Sequence, residues 1–327
     1  MTSLLQELSK RVLDRWAAVV FGPGLLFVAC AWLGLRLGHR HAADVERAQA
    51  VIARFGVGSG ADDTIRVGLA LAAVAFAAAL CGVGVASLGR AVEAAWGDPP
   101  GLLADRAAAR RRRRWLAADR ALTAELDAFA AAVARGRLRT APPRQRATAD
   151  VPEDPDDARA RRRRLRARRD RVAPAEPVAA TWIADRLALV ERRVLARYGF
   201  ALRSAWPHLW SVAPEPLRTD LTSAQRGYAD AARLFAWGLA YLVLGLFWWP
   251  ALLIGLVVLG SGRRRARRAT EVLAQLLEAT VDLHGRQLAM ALGIACDGSL
   301  TTAVGEQIEQ VLAKTLPEQP AAVSTGP

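Results

Sequence analysis

The sequence is poor in cysteine, histidine and lysine, and these shortages exclude several kinds of site. Its three cysteines, Cys30, Cys81 and Cys296, show no C-x-x-C spacing, so neither a disulfide framework nor a zinc site is predicted. Four histidines are scattered along 327 residues without the clustered Cys, Asp or Glu that a metal centre needs. The sequence therefore predicts no metal and no cofactor, and arginine carries almost all of its positive charge.

Motifs that superficially resemble catalytic or phosphate-binding signatures fail on their spacing. The stretch "CGVGVASLG" lacks the third glycine of a phosphate loop, and close helix packing through small residues explains it better. In "VDLHGR", Asp282 lies two residues before His284, and residues at that spacing do not face each other on a helix. Because no clustered set of titratable groups remains, we predict no catalytic residues and no enzyme activity.

Two long runs lack ionisable side chains, from Trp16 to Leu35 and from Val67 to Leu88. Each has about the 20 residues that a helix needs to cross a hydrocarbon core of roughly 30 Å. The sequence therefore predicts an all-α integral membrane protein with spans at 16–37 and 67–89. We expect an interfacial amphipathic helix at 1–15 and an external loop at 38–66.

A third apolar stretch, from Leu234 to Gly260, holds Trp248, Trp249 and Pro250 near its middle. Its 27 residues would form a helix of about 40 Å, a length that favours one crossing. Charge favours two crossings, because a hairpin keeps the following arginines on the cytoplasmic side. These are Arg263, Arg264, Arg265, Arg267 and Arg268.

We favour the hairpin, although a kinked single span and a re-entrant loop stay open. It predicts a break at Pro250, with one span in the helix at 223–249 and a fourth at 250–262. Tryptophan prefers the membrane interface, so Trp248, Trp249 and Pro250 are expected at the outer surface. Both termini would then be cytoplasmic, in a bacterial plasma-membrane protein of four transmembrane helices.

The positive charge is concentrated between Arg106 and Arg171, where 21 arginines face nine acidic residues. This excess predicts a cytoplasmic location. Two runs are candidate contacts for anionic lipid: Arg110, Arg111, Arg112, Arg113 and Arg114, and then Arg161, Arg162, Arg163 and Arg164. Nucleic acid is a disfavoured partner, because the runs lack interleaved aromatic residues and lie between membrane spans.

The predicted cytoplasmic regions alternate between helical and charged segments. Periodic apolar residues predict helix within 90–139, in the segment 178–222 and again in 263–316, and these could form a small helical cap. The segment 140–177 is rich in proline and charge with almost nothing apolar, so it is predicted to be disordered. The tail at 317–327 is expected to be disordered as well.

Three segments carry a resemblance to known sequences: "ERRVLARYGFALRSAWPHLW", "FWWPALLIG" and "LLEATVDLHGRQLAMALGI". Together they cover about the last 120 residues, which resemble a group of uncharacterised multi-pass membrane proteins of high-GC actinobacteria. The resemblance implies a multi-pass membrane architecture. It implies no activity.

These patterns lead to a prediction of a non-enzymatic membrane scaffold that presents cytoplasmic helices to a protein partner. Its predicted partners are the lipid bilayer and an unidentified protein, and a homo-oligomer stays open. One alternative is a channel or transporter subunit that forms a pore as an oligomer. Another is a sensor of anionic lipid or nucleic acid that acts through the arginine-rich segment.

Overall fold

The computed structural model describes residues 22–39, 61–97, 101–138 and 155–313, with residues 44, 46, 47 and 49 of one intervening segment. Every regular element in these residues is helical, which confirms the predicted all-α class. The described helices are α1 (Gly22–Leu37), α2 (Ala61–Gly97), α3 (Leu102–Leu138), α4 (Pro155–Val172), α5 (Trp182–Tyr198), α6 (Leu202–Val212), α7 (Glu215–Gly245), α8 (Trp249–Ala291) and α9 (Thr302–Leu312).

The chain divides into two compact units. The first, called here the apolar unit, comprises Met1–Ala95 and Gln225–Ala269. The second, called here the arginine-rich unit, comprises Trp96–Ala224 and Thr270–Pro327. Helices α7 and α8 each contribute residues to both units.

Helix α2 is the one described helix that is long and apolar enough to cross a membrane. The qualifying part, Ile65–Gly97, has 33 residues and contains an 18-residue stretch with a mean hydropathy of 2.4. Ile65, Leu69 and Phe76 are between 63% and 67% exposed, as expected for side chains that would face lipid. Helix α1 is also apolar, but its described part has 16 residues.

Helices α7 and α8 form a hairpin that is held by glycine. A Cβ added to Gly262 would lie 2.8 Å from the backbone nitrogen of Phe235, and one on Gly238 would lie 2.8 Å from that of Leu259. These pairs are in antiparallel register, so the two helix backbones approach closely along the hairpin. The chain reverses at 246–248, between the end of α7 and the start of α8.

The second arm begins within one residue of the predicted position and belongs to a long helix. Pro250, predicted to start this arm, lies in the first turn of α8, where a missing backbone N–H costs nothing. The span predicted at 250–262 lies within α8, a helix of 43 residues that continues through Arg263–Arg268 to Ala291. Arginine is a good helix former, so the basic cluster does not interrupt the helix.

Part of the segment predicted to be disordered, 140–177, is an ordered helix. Helix α4 occupies Pro155–Val172 and packs against α3. Arg161 pairs with Glu125 at 3.3 Å, and Arg169 pairs with Asp119 at 3.2 Å. The composition of α4 predicted disorder because the segment has almost no apolar side chains. The acidic residues that order it lie on α3, so the local composition does not reveal them.

The core of the arginine-rich unit lies among α5, α6, α9 and the carboxyl-terminal part of α8. Its fully buried side chains include Phe200, Leu209, Leu288 and Ile308. Gly199 ends α5 in the left-handed conformation, with φ of 80°, which glycine adopts without strain. The expected helices in 178–222 and 263–316 therefore pack together.

Several sequence predictions concern residues outside those that the structure describes. They are the helix at 1–15, the first part of the span at 16–37, most of the loop at 38–66, residues 140–154 of the linker and the tail at 317–327.

Candidate functional site

The hairpin turn packs against the end of α1. Trp248 is 8% exposed and lies against Gly34, where an added Cβ would be 2.9 Å from the Trp248 Cβ, while Trp249 is 44% exposed. His39 donates through Nε2 to the carbonyl oxygen of Leu246 at 2.7 Å, which requires the tautomer protonated at Nε2. The two tryptophans, predicted to share one environment, thus differ: Trp248 joins a helix interface and Trp249 faces outward.

Arginines gather at the opposite end of the apolar unit. A Cβ on Gly89 would lie 3.2 Å from the Cα of Arg233, which places Arg90 and Arg233 at the same level of the unit. The cluster Arg263–Arg268 begins at that level too, because Gly262 contacts Phe235. Arg263, Arg264, Arg265 and Arg268 are exposed, and Arg267 is half-buried.

Aromatic rings fill the space between the helices of the apolar unit. The ring of Phe27 lies 5.7 Å from Trp237 and 5.2 Å from Tyr241, the latter edge to face. Cys81 and Val85 of α2 pack beside Trp237. The interior of this part is therefore apolar, in keeping with the scarcity of charge in its sequence.

The first arginine run, on α3, divides between internal and exposed side chains. Arg111 donates to Asp185 Oδ2 at 2.6 Å and to the carbonyl oxygens of Ala179 and Val172. Arg112 pairs with Glu176 at 2.6 Å. Arg111 is held by internal bonds, which weakens its case as a lipid contact, and Arg112 is paired although it is exposed; Arg110, Arg113 and Arg114 are also exposed.

The second run, on α4, lines a groove of about 550 Å³ against α3. Arg162 stacks over the ring of Phe129 at 3.9 Å, and its Nη1 atom is enclosed without a hydrogen-bond partner among the described residues. Arg161 is occupied by Glu125, whereas Arg163 is exposed. The groove, called here the arginine groove, is lined by Leu126, Phe129, Asp156, Arg159, Arg162, Arg163 and Arg166. Arg164 is exposed and does not line it.

Two buried charges on α5 organise the arginine-rich unit. Asp185, 2% exposed, accepts hydrogen bonds from the backbone N–H groups of Val178 and Ala179 as well as from Arg111. Arg186, 4% exposed, pairs with Glu271 at 2.9 Å and with Glu278 at 3.0 Å. Hydrogen bonds from Arg186 lower the pKa of Glu271 below its ordinary value, although burial opposes the shift.

The sequence prediction missed both charges. The sequence feature that could have indicated them is the position of Asp185 and Arg186 directly after Ile183 and Ala184 in an amphipathic helix. A charge buried at such a position requires a partner. The partners Arg111, Glu271 and Glu278 are distant in sequence, so they could not be assigned before the fold was known.

A second groove of about 500 Å³ lies between α5 and α8 beside Tyr198. The Tyr198 hydroxyl donates to Asp282, and burial together with this carboxylate raises the pKa of the phenol. His284 bonds instead to Gln287 at 2.8 Å, so the two polar groups of "VDLHGR" have different partners. A raised pKa keeps the Tyr198 phenol protonated, so it is unsuited to act as a base. Its hydrogen bond to Asp282 connects α5 to α8.

Within the described residues, no group of three or more His, Cys, Asp and Glu side chains could hold a metal ion. No family model, curated protein or solved structure matches this chain. The geometry of its own residues is therefore the basis for the functional proposal.

Proposed function

We propose that this chain is a multi-pass plasma-membrane scaffold, in which four apolar helices anchor the protein and cytoplasmic helices bind a protein partner. The observation that carries the proposal is the polarity of the apolar unit. Arg90, Arg233 and the cluster Arg263–Arg268 lie at one end. The tryptophan-containing turn lies at the other, where Arg36 and Arg66 also lie. This distribution is typical of membrane helices whose basic end is cytoplasmic.

The hairpin arms are shorter than an ordinary crossing helix, and this hydrophobic mismatch has a free-energy cost. The arm before Pro250 has 16 uncharged residues and the arm from Pro250 to Gly262 has 13, or about 24 and 20 Å as helices. Mismatch costs fractions of a kcal/mol per Å, and arginine side chains extend toward the interface. Exporting five arginines violates a stronger rule, so the balance supports two crossings.

The proposed partner surface is an apolar stripe on α8 in the arginine-rich unit. Val272, Leu283 and Met290 recur at spacings of 11 and 7 residues, which places them on one helix face. They are 50%, 69% and 49% exposed. An aligned stripe of this kind suits the binding of a partner helix.

A pair of fusions tests the topology. We expect a fluorescent protein to be bright both before Met1 and after Pro327, and alkaline phosphatase after Pro327 to be inactive, because both termini would be cytoplasmic. An active phosphatase at Pro327 with a bright amino-terminal fusion would mean an odd number of crossings and would overturn the proposal.

Co-purification from mild detergent tests the scaffold role. Leu283→Glu should remove a partner that the unaltered protein retains, since it charges the centre of the stripe. Val311→Glu, at a 50% exposed site on α9 outside the stripe, is the matched control. The scaffold role would be wrong if no partner were recovered reproducibly, and the α8 stripe would be wrong if both variants lost it equally.

A further inference from the structure

The arginine groove contains more positively charged side chains than the acidic side chains in its lining can neutralise. Arg159, Arg162, Arg163 and Arg166 follow the i, i+3, i+4, i+7 pattern of one helix face, and Asp156 is the single acidic side chain in the lining. Asp156 pairs with Arg159 at 2.9 Å. Charges gathered in this way repel one another unless an anion binds between them.

The apolar side chains of the groove indicate that the bound anion carries a hydrocarbon part. Phe129 is 47% exposed and Leu126 is 37% exposed, and Val133 one turn further along α3 is 39% exposed. A ligand that joins a phosphate to hydrocarbon would contact both sides, whereas a free phosphate would leave the apolar side in water. Arg162 already stacks on one face of the Phe129 ring, which closes that face to base stacking by nucleic acid.

We infer that the arginine groove binds the phosphate of an anionic phospholipid headgroup. The guanidinium groups of Arg163 and Arg166 contact the phosphate oxygens, and Phe129 and Leu126 contact the adjoining apolar part of the lipid. This inference rests on the proposed membrane anchor.

A lipid titration of the full-length protein in nonionic detergent tests the site. Native mass spectrometry would measure the occupancy of phosphatidylglycerol, with phosphatidylcholine as the neutral comparison. We expect Arg163→Gln together with Arg166→Gln to weaken phosphatidylglycerol binding by about 10- to 30-fold, since each arginine near a lipid phosphate contributes on the order of a fivefold effect. Both side chains are exposed, so their replacement should not affect folding.

The matched control removes the same charge from the same helix. Arg164 and Arg168 are exposed on α4 and do not line the groove, so Arg164→Gln with Arg168→Gln should change lipid binding by less than about twofold. Arg162→Gln and Phe129→Ala should weaken binding in the same direction as the groove pair. Equal losses for the groove pair and the control pair would mean general charge attraction, and the site would be wrong.

Two competitors and one parallel measurement complete the test. If inorganic phosphate or polyglutamate bound as tightly as phosphatidylglycerol, the ligand would be a soluble anion or an acidic peptide, and the lipid assignment would be wrong. Alkaline carbonate extraction reports membrane integration separately. A carbonate-soluble protein would overturn both proposals, whereas an integrated protein without groove-dependent lipid binding would overturn this inference alone.

Discussion

The helices of the apolar unit and those of the arginine-rich unit are packed by different kinds of interaction. In the apolar unit, glycine allows the backbones of α7 and α8 to touch, and aromatic rings fill the remaining space. In the arginine-rich unit, ion pairs such as Arg111–Asp185 and Arg186–Glu271 join helices that are distant in sequence. All the regular elements described in both units are helices, so secondary structure alone does not reveal the difference.

If the apolar unit lies in a membrane as proposed, the difference corresponds to two ways of specifying how helices pack. Lipid is as apolar as leucine, so helices in a membrane gain little from apolar burial and associate through close packing. In a unit surrounded by water, apolar burial favours many different packings of the helices. A buried charge then selects the packing that brings its oppositely charged partner into contact. Substitutions at glycine should therefore affect the first unit, and substitutions at buried charges should affect the second.

The largest effect is expected from Asp185→Ala, which removes the acceptor of two backbone N–H groups and the carboxylate partner of Arg111. Removing one partner of a buried pair costs about 3–5 kcal/mol. Hydrogen exchange measured by mass spectrometry should show faster exchange in α5 and α3, with little change in the hairpin.

Glu215→Ala is the control for Asp185→Ala. It removes an exposed pair with Arg218 at 3.1 Å, where the expected cost is below about 1 kcal/mol. If the two variants exchanged equally fast in α5, the buried pair would not have the organising role assigned to it here.

An intermediate effect is expected from Gly262→Ala in the apolar unit. The added methyl group would overlap the backbone of Phe235, and overpacking of this kind costs about 1–3 kcal/mol. Gly260→Ala on the same helix meets no atom within 4 Å and should be neutral or slightly stabilising. Faster exchange in the hairpin for both variants, or for neither, would contradict the proposed role of glycine.

The smallest effect is a pH dependence at Glu271. Its folded-state pKa is lowered by Arg186, so its stabilisation is present above the ordinary glutamate pKa of about 4.3 and is lost as the pH falls through the lowered value. The carboxylate is 40% exposed, so we expect Glu271→Gln to cost less than about 1 kcal/mol near neutral pH.

Thermal unfolding from pH 7 to pH 3 checks this prediction. The difference in Tm between the unaltered protein and Glu271→Gln should shrink as the pH falls. Glu191→Gln, which removes an exposed pair with Arg203 at 3.6 Å, is the comparison. A constant difference across the range would show that the carboxylate charge does not stabilise the unit.

The sequence predicted the helical class well because apolar runs and helical periodicity are local properties. It placed helices at 67–89, 178–222 and 223–249, and the structure has helices in all three ranges. Local pattern could not predict α4, whose order depends on Asp119, Glu125 and Phe129 of α3. It also could not indicate that Arg111 is internal while Arg113 is exposed, because both lie in one run of identical residues.

The candidate arginine groove was predictable in part. The run at Arg161–Arg164 was singled out for its charge, yet Arg161 pairs with Glu125 and Arg164 lies outside the groove. Arg159 and Arg166 complete the lining because they share a helix face with Arg162 and Arg163. This assignment required knowing that the segment is a helix.

The close glycine contacts of the hairpin also bear on how the protein would be made. Neither arm alone reaches the length of an ordinary crossing helix, so each would be a poor substrate for insertion by itself. In the proposed topology, the arms would be paired through Gly238 and Gly262 and would enter the bilayer together as they leave the ribosome. A methyl group at either glycine would then lower the yield of inserted protein in the cell, even where the mature protein tolerates it.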